Sequence, residues 1–241
     1  MRRLAVGVLV TVLAGIALAT WGGAASAREE AEVQKKKPKL PALPANIKQR
    51  GRFNIAVKCD SPPFGYIDVR GRNAGFDVEI ARLFAKFAFG KSNRVTFTCV
   101  TTPAREPALT TDRVDMVIAT FTYTADRDTR IDFSRAYYKA TGRLLVPNSA
   151  PDTMIGQLAG KTIATTSGSI LVGIAAADRN LKLTNDTFLA LPYGIGIKQG
   201  NTALKRWVDS RLEVLRKRDT FNTILKNNVP ARVFAGFQKN I

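Results

Sequence analysis

Phe53-Asn54-Ile55-Ala56-Val57, Ser61-Pro62-Pro63-Phe64 and Gly75-Phe76-Asp77-Val78-Glu79-Ile80-Ala81 follow one another in a single stretch, and their succession decides the fold class. The first run is short, apolar and bounded by polar residues, as a buried strand is. Paired prolines offer no backbone N–H to a ladder, so the strand must give way to a loop before Phe64. Gly71 marks the turn of a small hairpin. From Phe76 the period changes, and Phe76, Ile80, Leu83, Phe84 and Phe87 share one face of a helix over 76–88. Asp77 and Glu79 fall in its first turn, where the helix dipole favours negative charge, and Gly90 is its stop.

Working outward, residues 95–99 predict a second strand, Pro103 opens a short helical turn, and 114–119 predict a third strand. That strand runs into Thr120-Phe121-Thr122-Tyr123-Thr124-Ala125-Asp126-Arg127, followed by Ile131-Asp132-Phe133-Ser134 and Tyr137-Tyr138. Strands alternating with helices predict a parallel α/β sheet. Ligands of such sheets bind beyond the carboxyl ends of the strands, where the Pro-Pro-Phe loop and the 120–127 loop both sit. Residues 142–146 predict a strand leaving this part of the chain. Met154, Ile155 and Leu158 predict a short helix, and 161–166 a strand ending in Ser167-Gly168-Ser169. Then come 171–177, a loop over 178–183, and a returning strand over 192–197. An amphipathic helix over 202–216 carries Leu204, Trp207, Val208, Leu212 and Leu215 on one face, and a shorter helix lies near 221–225. There is no internal repeat.

The first residues read as an address. Arg2-Arg3, an apolar stretch over 4–19 and the small-residue site Ala25-Ser26-Ala27 predict a signal peptide over 1–27, cleaved on export to a periplasm; an uncleaved anchor is the alternative. Residues 28–50 are rich in Pro and Lys and are expected to be a disordered tether. The chain carries 37 basic against 19 acidic residues, a net +18. Apart from Lys35-Lys36-Lys37 and Lys39 the basic residues are scattered, and with export this argues against a nucleic-acid partner. The absence of histidine excludes His-based acid/base catalysis and His metal ligation, so no metal or cofactor is expected. Two cysteines in an exported chain point to a disulfide. Cys59 and Cys99 end the first two strand patterns and would meet if those strands are parallel neighbours; two buried thiols are the alternative.

In this order and spacing, the five motifs over 52–146 resemble the first lobe of the bacterial extracellular solute-binding proteins, family 3, which deliver amino acids to ABC importers. The resemblance implies a type II periplasmic-binding-protein fold, α/β, with two lobes joined by crossover strands. Lobe 1 would comprise 51–146 and 194–241, and lobe 2 would be 147–193. It implies a binding protein and no enzyme, a monomer whose ligand is a free amino acid, polar or acidic. An inner-membrane ABC permease and its ATPase would be its partners. On the matching positions, Arg127 would clamp the ligand α-carboxylate with its planar fork. Thr122 would add a hydroxyl at the same end, and the backbone of Thr120 would face the ammonium group. Phe64, with Tyr66 nearby, would cover the ligand stem, and Ser61 or Asp60 would touch its side chain. From the second lobe, Thr166 and Ser169 would offer amides to the carboxylate at a helix N-terminus. An ion pair of Arg127 with Asp126 or Asp132 is the competing reading of that arginine.

One departure stands out. After Ser169 the family continues through a helix, a strand, another helix and a strand bearing the acidic residue that pairs with the ligand ammonium. Here Ile170 passes almost directly to 171–178, so one or more βαβ units are missing and lobe 2 is truncated. No Asp or Glu occurs over 153–177. Two alternatives follow: a degenerate binding protein without transport activity, or a relative of the cyclic-acid dehydratases of this fold, in which a carboxylate such as Glu106 would serve.

Overall fold

The computed structural model describes residues 40–142, 145–147, 149, 181–183, 189–238 and 241. Helix α1 (Ala45–Arg50) precedes strand β1 (Phe53–Val57), the short strands β2 (Asp60–Ser61), β3 (Gly65–Ile67) and β4 (Asn73–Ala74), and helix α2 (Phe76–Phe89). Strand β5 (Val95–Cys99), helix α3 (Arg105–Thr110), strand β6 (Met116–Val117), the one-turn helix α4 (Ala125–Asp128) and strand β7 (Ile131–Phe133) follow. Next come β8 (Tyr138–Gly142), β9 (Leu145–Pro147), β10 (Leu181–Leu183), β11 (Leu189–Tyr193) and β12 (Gly196–Lys198). Helices α5 (Thr202–Lys217), α6 (Thr220–Asn228) and α7 (Ala231–Gln238) complete the order.

The central sheet runs β5-β1-β6-β12-β7. Strand β1 lies parallel to both β5 and β6, with Val57 opposite Cys99 and Ile55 opposite Met116. Strand β12 returns antiparallel between β6 and β7. Successive side chains of a strand point to opposite faces, and the core divides accordingly. Phe53, Ile55, Val57, Met116 and Ile197 join the buried cluster under α2, α5 and α6. Ala56 and Val117 join Ala108, Leu109, Phe121, Ile131 and Phe133 in a second cluster. Trp207 on α5 meets Phe84 on α2 edge-on at 5.5 Å and Phe53 on β1 at the same centroid distance, fixing both helices to the sheet.

Several expectations are corrected. The tether does not extend to residue 50. Ile47 of α1 is 1% exposed and Leu43 packs against the same core, so apolar burial fixes residues 43–50 on the folded body. The third strand forms a ladder only at Met116–Val117 instead of 114–119. Backbone bonding to β1 nonetheless continues on either side, from Asp115 N–H to Asn54 O and from Ile118 N–H to Ala56 O. Residues 178–183, expected as loop, include β10, which pairs antiparallel with β9. The single returning strand is two, β11 and β12, and helix α7 had no sequence expectation at all. The helix near 154–158, the strand over 161–166 and the stretch 171–177 lie outside the described residues. Strands β8 and β11 pair antiparallel from Tyr138 opposite Tyr193 to Gly142 opposite Leu189, giving two adjacent crossings.

Candidate functional site

The site grows from the carboxyl ends of β1, β5 and β6. After β1 the chain turns through Pro62-Pro63 and delivers two carbonyls to the start of α2. Phe76 N–H donates to Pro63 O and Asp77 N–H to Phe64 O, both at 2.9 Å. Free N–H groups at a helix start need such partners. The approach is close enough to require glycine at 75, where φ is +117° and an added Cβ would lie 2.3 Å from Phe64 O. Lys58, 4% exposed, donates to Thr102 Oγ1 at 3.3 Å and pairs with Asp60 at 3.0 Å, linking the loops after β1 and β5.

Asp77 does more than sit in the first turn of α2. Its carboxylate accepts from Thr120 N–H at 2.8 Å and from Tyr137 Oη–H at 2.9 Å. Burial pushes its carboxyl up to about 6, although these two hydrogen bonds and Arg105 pull the other way. Thr120 itself is held at φ +45°, in the left-handed region. Arg105 fixes the other side of that peptide. It donates to the carbonyls of Thr102 at 2.9 Å, Ala119 at 3.1 Å and Thr120 at 3.0 Å. Burial first, and then the positive charge of Arg127, push Arg105 down to about 10.

Arg127 enters the site from α4, where Thr124 Oγ1 caps the turn by accepting from Arg127 N–H at 3.2 Å. Its guanidinium donates to Thr122 O at 2.9 Å, lies 5.1 Å from the centre of the Phe121 ring, and pairs with Glu106 at 3.3 Å. Arg105 stands over the same ring at 4.6 Å. Glu106 also binds Arg130 at 2.9 Å, and Arg130 holds Asp126 through two contacts of 3.0 and 2.8 Å. Among the described ion pairs, Arg127 thus pairs with Glu106, whereas Asp126 pairs with Arg130.

The same loop is stitched to the returning crossing. Gly194 N–H donates to Phe121 O and Tyr123 N–H to Pro192 O, both at 2.9 Å, with Thr122 bridged to Tyr193 between them. Thr122, Thr120 and Arg127 are therefore brought together and tied to β11. Phe64 lies against the same crossings. Its ring packs edge-on against Phe76, Tyr138 and Tyr193 at 6.0, 5.0 and 5.7 Å and near Phe237 at 6.2 Å. That makes it part of the aromatic cluster under the crossings. Thr166 and Ser169 lie outside the described residues. Arg105 and Asp77 were missed as site builders, and Glu106, named only as a carboxylate for the dehydratase alternative, was missed as the partner of Arg127; the clustering of Arg105-Glu106 ahead of an Arg-containing loop is the one signal for two of them.

Cys59 and Cys99 form a disulfide with a Cα–Cα distance of 5.5 Å, and Asn73 Nδ2–H points at the Cys59 sulfur at 3.2 Å. The pairing follows from the parallel neighbours β1 and β5, and it decides against the alternative of two buried thiols.

The profile of the bacterial extracellular solute-binding proteins, family 3, matches residues 53–230. The chain is 28% identical over 261 residues to the ABC transporter glutamine-binding protein GlnH of Bacillus subtilis (strain 168), covering 90% of this chain and 94% of that protein. It is 31% identical over 193 residues to the glutamine-binding protein of Geobacillus stearothermophilus, covering 62% of this chain and 74% of that one. Among solved structures, the solute receptor for L-cysteine of Neisseria gonorrhoeae superposes with a TM-score of 0.71 at 25% identity, covering 77% of this chain and 92% of that chain. The fold is that of the type II periplasmic binding proteins. An alignment of 261 residues exceeds this chain of 241, so part of the Bacillus protein runs opposite gaps here.

Proposed function

Because the chain belongs to the bacterial extracellular solute-binding proteins, family 3, we propose that it receives a polar amino acid for an ABC importer, with the α-carboxylate on Arg127. The observation that carries this reading is the setting of Arg127. A guanidinium stacked on Phe121, hydrogen-bonded to Thr122 O and stitched through its loop to β11 is pre-organised at the carboxyl end of the sheet. A planar fork held this way can grip a carboxylate with little further ordering.

Thr122 supplies a hydroxyl beside the clamp, and Thr120 directs its carbonyl to the ammonium group while also accepting from Arg105. Thr166 and Ser169 complete the carboxylate site from lobe 2. Phe64, half-buried against the aromatic rings of the crossings, covers the ligand stem. Lobe 1 comprises 40–146 and 194–241, and lobe 2 comprises 147–193. The protein works outside the inner membrane after removal of residues 1–27, as a monomer, and hands its ligand to a permease driven by an ATPase. Among the described residues no helix is long and apolar enough to cross a membrane. Both curated relatives above are binding proteins by name, which favours binding over the dehydratase alternative.

Calorimetric titration of the mature protein with the common amino acids tests the proposal, with glutamine and cysteine first because relatives are named for them. Arg127→Ala is expected to weaken binding by about 1.5–3 kcal/mol, the cost of a charge-assisted hydrogen bond. Arg127→Lys is expected to be poorly tolerated, since a point charge cannot reproduce the fork. Unchanged affinity in both variants would remove Arg127 from the site.

A further inference from the structure

We propose that Glu106 sets the ligand class of this site: it is an internal carboxylate on Arg127 that lets the cleft accept an amino acid with one carboxylate and disfavours one with two. This rests on the amino-acid reading above and goes beyond it, because it separates neutral from acidic ligands.

Three observations place Glu106 in that role. Its carboxylate lies 3.3 Å from Arg127 Nε, on the residue proposed to hold the ligand. Its side chain is 25% exposed and that of Arg127 12%, so the pair sits where screening by water is reduced. Its backbone cannot easily retreat, because the preceding residue, Arg105, anchors α3 to the carbonyls of Thr102, Ala119 and Thr120. Two consecutive residues of one short helix thus hold the start and the end of the 120–127 loop.

The charges around the loop are balanced in pairs. Arg130 is held by Asp126 and Glu106, Lys58 by Asp60, and Arg127 by Glu106. Asp77 lies behind Thr120 with Arg105 nearby. A ligand α-carboxylate entering this set meets an arginine whose charge is already shared. It gains from the directional hydrogen bonds of the fork, while a second carboxylate brings a further negative charge into the field of Glu106, which is only partly screened in a half-buried site. The ion pair is more than an ornament of the surface: of the acidic residues near the loop, Glu106 alone is paired with both Arg127 and Arg130 among the described ion pairs.

The experiment compares ligands of nearly equal shape that differ by one negative charge, glutamine with glutamate and cysteine with cysteine sulfinate. Each is titrated into the mature wild-type protein, Glu106→Gln and Glu106→Asp. The wild type is expected to prefer the neutral member of whichever pair binds. Glu106→Gln, which keeps the shape and removes the charge, is expected to narrow that preference by about fivefold or more, as a like charge at several ångströms in a partly buried site would. Glu106→Asp, which keeps the charge, is expected to retain the preference. If Glu106→Gln does not fold, the wild-type preference measured from low to about 1 M salt decides, since it should shrink as charge is screened. A neutral-to-acidic ratio that is the same in all three proteins, or a wild type that prefers the acid, overturns the role of Glu106 and leaves the amino-acid reading standing. Absence of binding by all three proteins to both pairs overturns the amino-acid reading and this inference with it. Binding that appears only in Glu106→Gln overturns the inference, since the internal carboxylate would then block the clamp for neutral and acidic ligands alike.

Discussion

Asp77 shows how one residue can be misjudged from its position in a helix. A carboxylate in the first turn ordinarily faces solvent and the helix dipole. Here it is fully buried and ties Thr120 N–H to Tyr137 Oη, joining the loop after β6 to the start of β8. Its carboxyl is raised from an ordinary 3.8 to about 6, with burial the main cause. Between about pH 4 and 6 the folded protein therefore holds a proton that the unfolded chain has released. The contribution of this group is fully present below about pH 4 and is lost as pH rises through about 6. Asp60, Asp68, Asp126 and Glu213 have carboxyls below their ordinary values and act in the opposite sense, but at lower pH. No histidine titrates in the window. The melting temperature of the wild type should carry a component that falls from pH 4 to 6, and Asp77→Asn should lack it. Parallel curves for the two proteins across that range would show that Asp77 is charged at no cost.

At the scale of elements, the legible parts were those whose signal is local. Strands β1 and β5 and helices α2 and α5 emerged with nearly their observed bounds, because a five-residue apolar run or a repeating face needs no distant partner. Helix α1 was hidden because Leu43 and Ile47 sit among prolines and lysines, and only the core they pack against reveals them. Of the site, the arginine and its threonine-rich loop were visible as a motif. Glu106 as the partner of Arg127, and Phe64 as a member of the aromatic cluster, depend on contacts between segments far apart in sequence. The disulfide is the opposite case, since adjacent parallel strands place their ends at one height. It fastens the loop after β1 to the edge strand β5, which has a parallel neighbour on one side only. With a sequence separation of 40 between the cysteines, the chain-entropy model gives about 4 kcal/mol of stabilisation. The double variant Cys59→Ser, Cys99→Ser should lose that amount in urea unfolding, and the wild type should show no reactive thiol once denatured. A full complement of two thiols in the oxidised preparation would refute the bridge and the strand-end argument behind it.

At the scale of the whole molecule, the proposed binding draws on both lobes. A two-lobed receptor binds by closing, and each lobe supplies groups the other cannot. The described half is well built: Arg105, Asp77 and the bonds to β11 hold the 120–127 loop on both sides before any ligand arrives. Pre-organisation of this kind lowers the entropic cost of binding. The ligand ammonium is the weak point. No acidic residue occurs over 153–177, and the Thr120 carbonyl that faces it in our proposal already accepts from Arg105. An ammonium group left imperfectly paired in a desolvated cleft costs several kcal/mol. A loss of about 4 kcal/mol moves a micromolar binder to roughly millimolar. We expect the mature protein to bind its best amino acid with a Kd nearer millimolar than micromolar, measured by chemical-shift titration. The corresponding acid with the amine removed should bind less weakly in proportion than it does to a complete receptor, because the missing contact was never made. A micromolar Kd together with a large loss on removing the amine would mean that the short lobe supplies an ammonium partner from outside 153–177.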